Sequence, residues 1–211
     1  MDKSPRIGIY GGTFDPVHAG HISFALQAIT EAKLDKVVFL PERQPWHKSP
    51  KEHYAHRVAM IKRAIRPYEN MSVMELPDKK FTIKRTLPSL QKKLKSENLV
   101  MLVGSDVLIN MPEWSNFDIL MAETELFVGT RADDDPHDIK KIIKTWEFQP
   151  QKLHIVRSQD PHVSSSKVRS AIAKQTQAHG LLQSVQAYAK DNWLYVSIEH
   201  AVKNKGDRAD S

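Results

Sequence analysis

At 211 residues, with 40% hydrophobic and 27% charged side chains and no low-complexity stretch, the chain is expected to be globular, and its composition excludes a disordered or fibrous class. The absence of cysteine excludes disulfides, thiolate nucleophiles and cysteine-ligated zinc, and no apolar run approaches the roughly 20 residues needed to span a bilayer. A formal charge of +6 fits a polyphosphate site, nucleic acid or an ordinary basic surface. Lys84, Arg85, Lys92, Lys93 and Lys95 lack the interleaved aromatics of a single-strand platform, so nucleic acid is the less favoured partner.

Ile7 to Tyr10 is a short apolar segment running into Gly11 and Gly12, and beyond His21 the residues Ile22, Ala25, Leu26 and Ile29 recur at helical spacing. This reads as strand, glycine loop, helix. Lys36 to Leu40 follows as a buried strand stopped by Pro41, then a proline-rich loop to Pro50. Glu52 to Ile65 fits a helix with Val58, Ile61, Ala64 and Ile65 inward, and Met71 to Leu76 fits a strand. Thr82 is an N-cap candidate for a helix with Ile83, Leu87, Leu90 and Leu94 on one face, which Pro88 should interrupt or kink. Leu99 to Val103 is apolar at every position, as a strand covered on both faces would be. Glu125 to Gly129 reads as strand, Asp138 to Trp146 as helix and Leu153 to Val156 as strand, with short helices after Val163 and over Val185 to Ala189.

The alternation predicts an α/β fold: a Rossmann-like parallel sheet with helices on both faces and ligands beyond the carboxyl ends of the strands. One domain over 1–199 with a C-terminal helical extension is expected, and a polar, loosely ordered tail over 200–211. The expected location is cytoplasmic, away from membranes. A homo-oligomer is compatible with the sequence.

The rule places Gly11 to His21, Pro41 to Pro50, Gly104 to Trp114 and Gly129 to Arg131 on one rim. Glycines let main-chain amides approach a phosphate, and the helix starting near Val17 to Gly20 aims its positive end there. His18 and His21, three apart, share the face of the first turn and can both donate to phosphate oxygens. Taken alone, the pair also fits helix-start histidines packed on the sheet, or a metal pair lacking a third ligand. His47, His53 and His56 have no carboxylate or cysteine spacing that completes a metal site, so no resident metal is expected. Asp133 to Asp135 reads as a loop feeding a helix N-terminus.

The string Gly11-Gly12-Thr13-Phe14-Asp15-Pro16-Val17-His18-Ala19-Gly20-His21 resembles the H-x-G-H signature of the nucleotidylyltransferase superfamily, and its wording is similar to that of the bacterial nicotinate mononucleotide adenylyltransferases. Further ordered matches are Pro45-Trp46-His47-Lys48, Arg57 to Met60, Phe81-Thr82 with Thr86-Leu87, Val103 to Asp106 with Trp114, and Val163 to Arg169. The resemblance implies transfer of AMP from ATP, with Mg²⁺, to nicotinate mononucleotide in NAD biosynthesis, releasing pyrophosphate. It assigns phosphate stabilisation and catalysis to His18, His21, Lys48 and Arg169. ATP binding falls to Gly11, Gly12, Thr13, Phe14, Gly104, Asp106, Ser164 and Ser165 with these. Acceptor binding falls to Asp15, His47, Lys48, Thr82, Trp114, Ser115 and Arg131, with main-chain amides at Thr82 and Ser115 meeting a carboxylate and Trp114 stacking on the pyridine ring.

Glu42, Trp46, Phe81 and Pro88 depart from the family pattern at the acceptor end. Nicotinamide mononucleotide or a pantetheine phosphate are therefore alternative acceptors. A nucleotide-sensing or RNA-binding relative without turnover is the alternative from another class.

Overall fold

The computed structural model describes residues 4–45, 49–78 and 80–196. Six strands, β1 (Arg6–Gly12), β2 (Lys36–Pro41), β3 (Met71–Val73), β4 (Asn98–Gly104), β5 (Thr124–Thr130) and β6 (Leu153–Arg157), form one sheet in the order β3-β2-β1-β4-β5-β6. Every adjacent pair is parallel. Parallel neighbours require crossovers, supplied here by helices α1 (Ala19–Glu31), α2 (Tyr54–Ala64), α3 (Ile83–Leu94), α4 (Ser105–Leu108), α5 (Phe117–Glu123) and α6 (Pro136–Lys144). Helices α7 (Ser165–Ala173) and α8 (Gln183–Asp191) follow the last strand.

The two-residue period of the strands sorts their apolar side chains into two cores. Val37, Phe39, Val100, Leu102 and Phe127 point to one face, where α1, α2, α7 and α8 contribute Ala25, Ile61, Val168 and Val185. Ile9, Val38, Leu99, Met101 and Leu126 point to the other, covered by Leu87 of α3, Leu108 of α4, Leu120 of α5 and Ile143 of α6. Two covered faces explain why the strands read as unbroken apolar runs.

The expected strands and long helices are present, with three differences. The strand expected over Met71 to Leu76 ends at Val73, although Met74 N–H still donates to Phe39 O at 3.0 Å on this edge of the sheet. Helix α3 continues through Pro88, which is exposed, because buried Ile83, Leu87 and Leu90 anchor the helix on both sides of it. Between β4 and β5 lie α4, a 3-10 turn over Met111–Glu113 and α5, none of them anticipated, since each is too short to display a helical period. The tail expected over 200–211 lies outside the described residues. Among the described residues, no helix is long and apolar enough to cross a membrane.

Strand order reverses between β1 and β4: the chain steps outward through β2 and β3, then returns through α3 to pair β4 with the other side of β1. The loops leaving β1 and β4 therefore part company and open a crevice at the carboxyl ends of the strands.

Candidate active site

The loop that leaves β1 is held by its carbonyls. Gly12 O accepts Glu42 N–H at 3.0 Å, Thr13 O accepts Arg57 Nη1 at 2.5 Å, Asp15 O accepts Arg169 Nη1 at 2.6 Å, and Pro16 O accepts the Ser165 hydroxyl at 3.0 Å. In a planar trans peptide the N–H points opposite to the preceding C=O. Tying back the carbonyls of Gly12, Thr13 and Pro16 thus turns the amides of Thr13, Phe14 and Val17 the other way. Gly11 is exposed, and a Cβ there would meet nothing within 4 Å, so no packing demand of the fold explains a glycine at that position.

The two histidines meet at the start of α1, where His18 is the N-cap. Their rings stack with centroids 3.7 Å apart, and His18 N–H donates to His21 Nδ1 at 3.1 Å. With Nδ1 accepting, the proton of a neutral His21 sits on Nε2, which is a donor. Phe14 holds the His21 ring edge to face at 5.0 Å. His18 is 7% exposed, and burial pushes its pKa down to about 4, against a smaller upward pull from Asp160. It is a neutral N–H donor at pH 7, and its Nδ1 is buried without a hydrogen-bond partner among the described residues. Gly20 leaves room for this ring, since a Cβ there would lie 3.2 Å from His18 Nδ1.

Helix α7 brings its N-terminus to the same loop. Ser164 is its N-cap, with Oγ 3.4 Å from Lys167 N–H, and Arg169 lies one turn in, donating also to Ser166 Oγ at 3.0 Å. Arg169 thus spends two N–H groups on the chain and keeps the rest of its fork. After β4, the Asp106 side chain folds back over Gly104, where a Cβ would stand 2.6 Å from Oδ1. Asp106 is the second residue of α4, whose N-cap is Gly104. Its carboxylate instead pairs with Arg131 at 2.6 Å, joining two residues expected to serve different substrates. Asp134 holds Arg131 N–H at 2.8 Å and also accepts the Ser105 hydroxyl, which together keep its carboxyl below the usual range. Asp135 caps α6 by accepting His137 N–H at 2.8 Å, as its acidic run suggested.

The acceptor side differs more from expectation. Thr82 is the N-cap of α3, but its N–H donates to Thr86 Oγ1 at 3.0 Å, so that amide is already engaged. The amides of Ile83 and Lys84, in the first turn, have no intrahelical partner by construction. Trp114 is half-buried and lines a cavity of about 280 Å³ with Asn116, Phe117, Glu147 and Phe148; Thr82 is not among the residues around it. Ser115 is exposed beside it. Asp15 is 4% exposed with both carboxylate oxygens bonded to the chain, to Lys51 N–H and the Tyr195 hydroxyl, so it is a buried anchor of the loop in this structure instead of an open ligand for an acceptor. His47 and Lys48, with Trp46, lie outside the described residues.

One residue without an assigned role proves central. Arg57 is 1% exposed and bonds Thr13 O, Glu42 O at 2.8 Å and Arg43 O at 3.5 Å, fastening the loops after β1 and β2 together. The sequence signal is its place at i, i+4, i+7 with Ile61 and Ala64 on the inward stripe of α2, where a charge must find partners. Among the described residues, no group of three His, Asp or Glu side chains could hold a metal ion.

Comparison with known proteins agrees with this arrangement. Residues 9–171 match the cytidylyltransferase-like family model. The chain is 30% identical over 197 residues to the probable nicotinate-nucleotide adenylyltransferase of Neisseria meningitidis serogroup C, covering 90% of this chain and 98% of that protein. It is 29% identical over 198 residues to the probable nicotinate-nucleotide adenylyltransferase of Methylacidiphilum infernorum, covering 90% and 92%. In fold it is similar to Plasmodium falciparum nicotinic acid mononucleotide adenylyltransferase complexed with NaAD, with TM-score 0.73 at 18% identity over 90% of this chain and 97% of that one. With its H-x-G-H loop at the reversal of a six-stranded parallel sheet, the chain belongs to the cytidylyltransferase-like family and, within it, to the nicotinate-nucleotide adenylyltransferases.

Proposed function

We propose that this chain transfers AMP from MgATP to nicotinate mononucleotide, yielding nicotinate adenine dinucleotide and pyrophosphate in NAD biosynthesis. An oxygen of the acceptor phosphate attacks the α-phosphorus of ATP in line, the bond from that phosphorus to the bridging oxygen of the β-phosphate breaks, and pyrophosphate leaves with the bond's electron pair. Such chemistry needs positioning and charge stabilisation and no covalent nucleophile. The observation that carries the reading is the stacked pair His18 and His21 at the N-terminus of α1, with the buried His18 neutral, beside a loop whose carbonyls are tied back.

In this reading the amides of Thr13, Phe14 and Val17 and the two imidazoles receive the triphosphate, and the remaining N–H groups of Arg169 meet its distal phosphates. Lys48 is assigned to the same charge. Mg²⁺ is assigned to phosphate oxygens of the nucleotide, as part of the substrate. For the acceptor, with Thr82 N–H engaged by Thr86, the amides of Ile83 and Lys84 are assigned to the nicotinate carboxylate, and Trp114 to the ring. Glu42, a departure from the family pattern, joins the ATP loop with its main chain, its N–H donating to Gly12 O and its C=O accepting from Arg57.

Pyrophosphate release is measured with nicotinate mononucleotide, nicotinamide mononucleotide and pantetheine phosphate in parallel. Release with the first should exceed the others at least tenfold, and His21→Ala should lower the rate by about 10²–10³-fold. Preference for another acceptor overturns the acceptor assignment and keeps the ATP half. No release with any, from folded ATP-binding protein, makes the chain a nucleotide-binding relative without turnover.

A further inference from the structure

Asp15 is where four separated segments of the chain meet. Its Oδ2 accepts Lys51 N–H at 2.6 Å, its Oδ1 accepts the Tyr195 hydroxyl at 2.7 Å, and its carbonyl accepts Arg169 Nη1 at 2.6 Å. Tyr195 is itself fixed, since its N–H donates to Glu52 Oε1 at 2.9 Å. It sits at φ 63° in the turn that closes α8, after Trp193 at φ 56°. Left-handed backbone at non-glycine residues is held only where the surroundings over-determine it. Here Leu194 supplies one hold, buried in the core shared with Phe14 and Val17, and its N–H donates to Ala189 O at 2.9 Å.

Closing α8 and burying Leu194 would not require a hydroxyl at position 195. The hydroxyl is directed at the carboxylate of a loop 180 residues earlier in the chain. Burial, followed by the bond to Asp15, raises the Tyr195 pKa well above the usual phenol range, so the group stays a donor. From Asp15 the path to the phosphate donors is short: Phe14 precedes it, and the Phe14 ring packs on His21 at 5.0 Å.

We propose that Tyr195, fixed by Glu52, is a positioning residue for adenylyl transfer: the C-terminal turn fastens Asp15 and so holds loop 11–17 in its phosphate-receiving shape before nucleotide arrives. The inference rests on the reading of that loop as the ATP site. Neither Tyr195 nor Glu52 touches substrate in it; both act through Asp15.

The test is Tyr195→Phe, which keeps the ring and removes the hydroxyl. Expected is a roughly tenfold loss in kcat/KM for ATP, carried mainly by KM, with the acceptor KM at saturating ATP changed less than about twofold. Amide hydrogen exchange of residues 11–17 in the nucleotide-free protein should quicken. Glu52→Gln, which retains an acceptor oxygen, should stay near wild type, Glu52→Ala should resemble Tyr195→Phe, and the two losses should not add. A Tyr195→Phe protein with a lower Tm but unchanged ATP KM and unchanged exchange at 11–17 overturns the proposal and leaves the hydroxyl a purely structural bond. Absence of turnover in the wild type would instead sink the adenylyl-transfer reading; the exchange comparison and the ATP Kd of the two proteins then decide the positioning claim on their own.

Discussion

Protonation of His18 offers a direct probe of the proposed phosphate donors. In the folded, nucleotide-free protein its pKa is lowered to about 4, chiefly by burial, against 6.5 for an exposed imidazole. Above pH 6.5 the residue is neutral in both folded and unfolded chains and contributes no pH dependence. As pH falls from 6.5 towards 4 the unfolded chain takes up a proton that the folded one refuses, so stability drops. The full difference is worth about 3 kcal/mol, of which about 2 kcal/mol is already lost at pH 5. Urea denaturation of wild type and His18→Gln at pH 7.5 and pH 5 isolates the term from the other histidines. Wild type should lose about 2 kcal/mol more than the variant over that interval. A phosphate placed against the ring favours the imidazolium, so ATP binding near pH 6 should take up protons, read by calorimetry in two buffers of different ionisation enthalpy, and His18→Gln should abolish most of that uptake. Parallel pH dependence of the two proteins would refute the buried, neutral His18, and buffer-independent binding enthalpy would refute its contact with phosphate.

Two other substitutions separate the fold from the site. Gly11→Ala introduces a Cβ that meets nothing within 4 Å, so Tm should move by less than about 2 °C, while close approach of phosphate to the loop makes ATP KM rise about tenfold; an unchanged KM would place the phosphates elsewhere. Arg57→Met keeps an apolar stem of similar length but strands the carbonyls of Thr13 and Glu42, which should cost about 2–4 kcal/mol in urea titrations and raise ATP KM together with it; loss of stability with normal KM would make Arg57 a core residue only.

Much of the architecture was legible because parallel strands buried on both faces leave continuous apolar runs, and Leu99 to Val103 or Val37 to Leu40 have no other plausible home. The turn from β1 into α1 was legible for a local reason too: glycines, an N-terminal helix turn and two histidines three apart are all written within eleven residues. What escaped depends on partners or lengths that the local pattern does not show. Thr82 was expected to offer its amide, and the hydroxyl that takes it sits four residues on, at Thr86. Asp15 was expected to face the acceptor, and its partners are Lys51 and Tyr195, the latter 180 residues away. The helices between β4 and β5 escaped because segments of four and seven residues show too little of a 3.6-residue period.

The distribution of charge around the crevice follows from burial. The chain carries a formal +6, yet the histidine buried against the loop, His18, is a neutral imidazole, because an unpaired cation 7% exposed would have to surrender its solvation before any phosphate arrived. Arg57, the one fully buried guanidinium among the described residues, turns towards the loop's carbonyls and so acts on the amides from behind. In the proposed site, positive charge available to a triphosphate is left to groups nearer solvent, such as the half-buried Arg169. Neutral donors fixed in advance lose little on binding and strengthen as charge gathers on the departing pyrophosphate, which is where a transferase needs them. A site built from buried lysines would bind the ground-state triphosphate and the leaving group alike, and would gain affinity with less gain in rate.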